Sequence, residues 1–370
     1  SRSVPVVAAL LSADRRGRLI GEVNEDYDSI RARHSAKHND RVILPIDRAR
    51  ANRSPIAWDG YRPPQPRTTE RVVLRDYPIA ELREYIDWQP FFNAWEMKGR
   101  FPDILNNPGT GEAARRLYDD AQTMLDRVIE EGWLEARAVF GLFPANAVGD
   151  DIEVYGSEDR DEVLTTLYNL RQQGEHREGV PNRSMGDYVA PKDTGLEDWV
   201  GAFAVTAGLG SEAKVAEFKE ALDDYSAILL ESLADRLAEA FAERLHERVR
   251  TEFWGYAEGE DLDNEALIKE RYDGIRPAPG YPACPDHTEK ATLWSLLDVE
   301  KNTGITLTSS MAMWPGASVS GFYFSHPQSQ YFVVGRIGKD QVEDYAARKG
   351  MTLAEAERWL SPNLGYEPED

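Results

Sequence analysis

The segment from Gly274 to Lys290, GIRPAPGYPACPDHTEK, gathers the chain's densest set of residues able to do chemistry. Pro277, Pro279, Pro282 and Pro285 fix φ and remove four backbone donors. A loop with so little conformational entropy left to lose suits a preformed ligand wall. Gly280 permits close backbone approach, and Tyr281 offers a stacking face with a polar tip. Arg276 presents a planar fork of donors that matches a carboxylate at two points. The same residues also fit a rigid surface turn with Arg276 in a structural ion pair. Asp87, in Tyr85-Ile86-Asp87-Trp88 ahead of Pro90-Phe91-Phe92, is an acid among aromatics. It either pairs with a cation in a partly desolvated place or bonds neighbouring backbone at a helix end. Asp235, Glu239 and Glu243 recur at i, i+4 and i+8, which describes a solvated acidic stripe. With Leu237 and Phe241 beside it, Glu239 could instead turn inward and accept sugar hydroxyls. Met313–Ser318 and Gly321–Pro327 join small residues to aromatics near Tyr331-Phe332. They suit either an adenine-sized ring or an aromatic core strand.

Other chemistries find less support. Cys284 is the one cysteine, so a disulfide framework and a multi-thiolate zinc site are excluded within this chain. No second histidine lies at a ligand-like spacing from His287, and G-x-S-x-G, P-loop and G-x-G-x-x-G patterns are absent. A hydrolase using Cys284 or His287 stands as a competing reading; it predicts turnover in the isolated chain.

The elements that must position these residues can be read from periodicity. Ile20, Val23, Tyr27 and Ile30 predict a polar helix over 15–38, and the three prolines of 58–66 an extended crossing. A domain boundary is expected there, giving units 1–65 and 66–370. Helices are predicted over 76–87 and 111–131, and strands over 138–143 and 152–155 around a turn-rich FPANAVGDD. A strand is expected at 199–206. A long helix over 211–250 should break near Asp223-Asp224. Runs at 305–313, 319–324 and 331–337 read as an antiparallel meander, followed by helices over 340–349 and 353–360. Helical clusters flanking consecutive strands argue for an α+β fold.

Composition narrows the partners. The 370 residues carry 43 basic and 65 acidic side chains, a net charge of −22. An acidic body does not suit a phosphate backbone, so nucleic acid is excluded as a natural partner. No run approaches the ~18–20 apolar residues of a membrane span. The single cysteine fits a reducing, cytoplasmic setting. Residues 1–70 carry 13 basic and 9 acidic side chains, leaving the remaining 300 at −26. That asymmetry, with a start at Ser1, fits a docking or linker segment in a piece of a longer chain.

Seven stretches together resemble the C-terminal activation module of cobalamin-dependent methionine synthase: YIDWQPFF (85–92), GLFPANAVGDDIEVY (141–155), LADRLAEAFAERLHERVR (233–250), RPAPGYPACPDHTEK (276–290), MAMWPGASVSGFYFSHP (311–327), KDQVEDYAARKGM (339–351) and WLSPNLGY (359–366). The resemblance runs from about residue 70 to the C-terminus; residues 1–60 look like the last helix of a cobalamin-binding domain and its linker. It implies a single C-shaped domain with a twisted antiparallel sheet flanked by helices, after a helical and extended linker. It implies that the full enzyme moves a methyl group from methyltetrahydrofolate to homocysteine, and that this module binds S-adenosylmethionine and presents its methyl to oxidised cobalamin. A flavodoxin-like protein would deliver the electron. Cobalamin and zinc would be held by other domains of the same polypeptide. The family's binding positions fall on Asp87, Glu239, Arg276, Tyr281 and Tyr331-Phe332, with Ala278 and Gly280 in the same RPAPGY stretch. The alternative is a stand-alone S-adenosylmethionine-binding regulatory module without methyl transfer. Flavodoxins are acidic, so docking calls for a locally basic patch; Arg31, Arg33, Lys37, Arg41, Arg48 and Arg50 form one candidate, and the 244–250 region another.

Overall fold

A computed structural model describes residues 3–38 and 42–369. Helices α1 (Ser3–Leu11) and α2 (Ala13–His38) precede the short α3 (Ile46–Ala51). The strands are β1 (Val72–Leu74), β2 (Glu135–Val148), β3 (Asp151–Tyr155), β4 (Val163–Leu167), β5 (Asp198–Leu209), β6 (Thr306–Leu307), β7 (Met313–Trp314) and β8 (Ser318–Tyr323). Six of them form an antiparallel sheet in the order β4-β3-β2-β5-β8, with β1 on β2; β6 and β7 make a separate hairpin. Around the sheet lie α4 (Ile79–Arg83), α5 (Trp88–Ala94), α6 (Gly111–Glu131), α7 (Ser211–Glu220), α8 (Asp224–Arg248), α9 (Asn264–Ile268), α10 (Glu289–Leu297), α11 (Val299–Thr303), α12 (Lys339–Lys349) and α13 (Leu353–Trp359). The α+β expectation holds. Among the described residues no helix is long and apolar enough to cross a membrane.

The two central strands are covered on both faces. Phe140, Leu142, Phe203 and Val205 point into a core shared with Leu233, Leu237 and Phe241 of α8. Val139, Val200, Ala202 and Ala204 point into a second core with Leu293, Leu297 and Val342. Strands buried on both sides read as continuous apolar runs, which is why β5 shows no alternation in sequence.

Several elements depart from the periodic reading. The strand expected to end at 143 continues to Val148, and the turn is confined to Gly149 and Asp150. Pro144 is tolerated because it falls between the stretch of β2 paired with β1 and the stretch paired with β3, where that edge has no ladder. The helix expected over 76–87 shrinks to α4, because Asp87 opens a new helix by accepting the Gln89 amide at 2.9 Å. The meander does not form. β6 and β7 pair with each other, β8 joins β5, and 331–337 has no strand. In that last segment Phe332, Val334 and Ile337 are buried while Tyr331 and Val333 are exposed. Its strand-like alternation comes from packing on the second core, and its amides bond loops instead of a ladder: Val334 N to Pro282 O and Ile337 N to Asn363 O. The break in the long helix falls as expected, with Asp223 accepting the Ser226 amide at the start of α8.

Residues 42–67 lie along the body. Arg50 donates to Asp150 at 2.8 Å and Asp344 at 2.6 Å, and Trp254 Nε1 donates to Pro64 O at 2.7 Å. Beneath Arg50, Arg171 is sealed from solvent and donates to Asp150 and to both oxygens of Asp187. Removing one partner of such a pair strands the other charge. Asp187→Ala should lower unfolding stability by about 3–5 kcal/mol, read by urea denaturation; a loss below about 1 kcal/mol would show the network to be dispensable.

Candidate functional site

The proline-rich loop is an outgrowth of the sheet. Ile275 exchanges two backbone bonds of 3.0 Å with Phe324, and Phe322 N donates to Pro277 O at 2.9 Å, so 275–277 runs as an extra edge beside the end of β8. Gly321 makes this approach possible, since a Cβ there would sit 2.7 Å from Pro277 O. The chain then turns: Tyr281 N bonds Ala278 O, and Gly280 N bonds Cys284 O. Gly280 has φ +91°, and a Cβ would sit 2.3 Å from the His287 ring. Its place is behind the loop, against His287, and not on the open face.

The open face borders two adjoining depressions of about 290 and 430 Å³, which share Glu239, Glu270 and Arg276. Tyr85, Asp87, Arg236 and Glu243 line the smaller one. Ala278, Tyr281, Tyr331, Phe332 and Val319 line the larger. Seven of the eight residues nominated from sequence therefore border one groove, Gly280 being the exception. A cleft of 820 Å³ opens on the far side of Asp87, against Trp88, Arg100 and Lys269.

Arg276 organises the floor. Its Nη2 lies 2.9 Å from Glu243 Oε2, its Nη1 donates to the Tyr272 hydroxyl at 3.0 Å, and its backbone amide donates to the Tyr331 hydroxyl at 3.0 Å. Burial opposes the guanidinium charge, but Glu243, Tyr272 and Tyr331 outweigh it and hold the pKa above its ordinary value. Burial pushes the Glu243 carboxyl up, against the pull of Arg276 and Arg250. Glu243 Oε1 is buried with no hydrogen-bond partner. Arg276 is thus ion-paired, and it also borders the groove. Asp87 likewise caps α5 and lines the smaller depression.

The structure removes the nucleophile. Cys284 is buried, and its thiol is pushed well up by burial and by the Glu289 and Asp286 carboxylates. Both effects disfavour the thiolate, the form that would attack. His287 is drawn below its ordinary pKa by burial and by Lys290, whose Nζ lies 2.8 Å from Nδ1. Lys349 binds Asp286 at 2.7 Å and Glu289 at 2.6 Å, tying the loop to α10 and α12.

Sequence reasoning missed Glu270, Arg236 and Tyr272 and understated Glu243. Glu270 follows α9 at φ +53° with no motif around it. Glu243 could have been singled out only by knowing which acid of the α8 stripe faces Arg276.

A proline-stiffened, ligand-sized groove with a cation and several acids, and with no serine, cysteine or histidine among its described lining residues, has the form of a small-molecule-binding site. Residues 78–350 match the family model of vitamin B12 dependent methionine synthase, activation domain, and the chain belongs to that family. It is similar to the crystal structure of the MetH reactivation domain bound to AdoHcy, with 54% identity and a TM-score of 0.86 over 88% of this chain and 99% of that one.

His246 lies below the floor with neither ring nitrogen bonded, and burial, with Arg250 and Arg276 adding to it, lowers its pKa well below 6.5. The unfolded chain therefore takes up a proton here that the folded chain refuses, and stability falls as pH drops below about 6.5. His246→Phe should flatten the stability profile between pH 6.5 and 5, where one such proton contributes a slope approaching about 1.4 kcal/mol per pH unit. An unchanged slope in equilibrium unfolding would contradict this.

Proposed function

We propose that the groove binds S-adenosylmethionine and presents its methyl group to cobalamin held by a neighbouring domain of the same polypeptide, restoring methyl transfer from methyltetrahydrofolate to homocysteine after oxidation. Arg276 takes the ligand carboxylate, Asp87 the ammonium and Glu239 the ribose hydroxyls. Tyr281, 60% exposed at the rim, lies beside the methyl, and Tyr331-Phe332 border the adenine. The observation that carries this reading is the polar state of the floor. Arg276 has three of its five N–H donors without a protein acceptor among the described residues, and Glu243 Oε1 lacks a donor. The carboxylate of an amino acid supplies the acceptor that the guanidinium lacks.

The wall acids Asp87, Glu239 and Glu270 also favour a ligand bearing a sulfonium and an ammonium. Cobalamin, when bound by its own domain, supplies the nucleophile, and the sulfonium is already an activated donor. The residues here therefore bind and orient, and no acid–base constellation is required. The electron would come from a flavodoxin-like protein. Of the basic patches considered for its docking, Arg41 and the side chains of Arg31, Arg33 and Lys37 lie outside the described residues. Arg50, Arg244, Arg248 and Arg250 are already engaged by acids. The stand-alone regulatory alternative is not favoured by the family match.

Calorimetric titration tests the reading. Wild type should bind S-adenosylmethionine one to one, and Arg276→Ala should lose about 2–5 kcal/mol, at least thirtyfold in Kd. Absence of binding by correctly folded wild type, or equal affinity in the variant, would contradict it.

A further inference from the structure

Tyr272 carries no sequence motif and does not border the groove, yet among the described residues it is the one side chain besides Glu243 that holds the Arg276 guanidinium. Its own position is fixed from two further sides. Arg250 lies over its ring with Cζ 4.0 Å from the centroid, and Glu260 holds Arg250 through both carboxylate oxygens. The His246 ring meets it edge-on at 5.0 Å and 86°. His246 in turn stacks on Tyr323 at 5.1 Å and 9°, and Tyr323 on Phe203 at 4.5 Å and 13°, on the wall of the larger depression. Such a braced phenol is a fixed acceptor.

An arginine beside a carboxylate tends to close a two-point fork on it. Here it does not. Nη2 meets one oxygen of Glu243, while the other oxygen stays buried and unpartnered. Nη1 gives one of its two N–H groups to the Tyr272 hydroxyl, which ties that end of the guanidinium to the braced phenol. We propose that Tyr272 is a positioning residue that keeps Arg276 in one-oxygen pairing with Glu243, leaving the guanidinium available to the carboxylate of the groove's ligand. Without the hydroxyl, the fork closes on Glu243 and the ligand carboxylate loses its partner. Tyr272 would therefore set the preference for a ligand that carries a carboxylate over one that lacks it. This rests on the binding reading above.

The test compares S-adenosylmethionine with its decarboxylated form, which keeps the ammonium, the sulfonium and the nucleoside. Tyr272→Phe preserves the ring and its contacts with Arg250 and His246. It should weaken S-adenosylmethionine about tenfold and leave the decarboxylated ligand within about twofold. In an Arg276→Ala background the same change should cost nothing further, because the hydroxyl acts through that arginine. Equal losses for both ligands, or an undiminished loss without Arg276, would show a merely structural role and overturn the proposal, as would unchanged affinity. If wild type binds neither ligand, the binding reading fails and the positioning role fails with it. If wild type binds both but Tyr272→Phe does not discriminate, only the positioning role fails.

Discussion

A guanidinium that is largely withdrawn from water must be compensated, and the way Arg276 is compensated shapes everything around it. Glu243 supplies the countercharge from α8, the Tyr272 hydroxyl accepts from the guanidinium, and the Tyr331 hydroxyl, from another loop, accepts from the Arg276 backbone amide. Desolvation makes each missing partner expensive and each present one strong. The pairing therefore fixes three segments relative to one another. It also leaves guanidinium donors unspent on the floor of the groove.

The sheet exists in the right place to make this possible. Segment 275–277 is bonded to the end of β8, β8 to β5, and β5 packs under α8, which carries Glu239 and Glu243. Arg276 and Glu243 are thus held by two layers of one core and not by loop contacts alone. Prolines then stiffen the rim, and the Lys349, Asp286 and Glu289 cluster anchors the loop's far end to α10 and α12. A site built this way is largely preformed, so little ordering is left to oppose binding.

Much of this was legible in the sequence, and the failures have identifiable causes. The four prolines and Arg276 single out the loop that borders the groove, because proline's backbone effect is local and readable. α6 and α12 were legible because one face of each is buried and the period of 3.6 survives intact. The meander misled because Phe332 and Val334 alternate with Tyr331 and Val333 like a strand while bonding only loops; alternation reports burial and not pairing. The end of β2 was hidden by Pro144, which normally breaks a ladder but here sits in a gap between two partner strands. Glu270 and Tyr272 carry no motif of their own, although Arg276 lies only six and four residues further on, because spacing alone does not show which acid or phenol turns toward the groove or its arginine. Gly280 was nominated for the groove, whereas its lack of a side chain serves the packing of His287 behind it.

The most direct measurement is a crystal structure of this chain soaked with S-adenosylmethionine. The account predicts the carboxylate on Arg276, the Glu243–Arg276 contact still made through one oxygen, and the methyl facing outward beside Tyr281. A ligand seated in the 820 Å³ cleft beyond Asp87, with Arg276 facing only Glu243 and Tyr272, would contradict it.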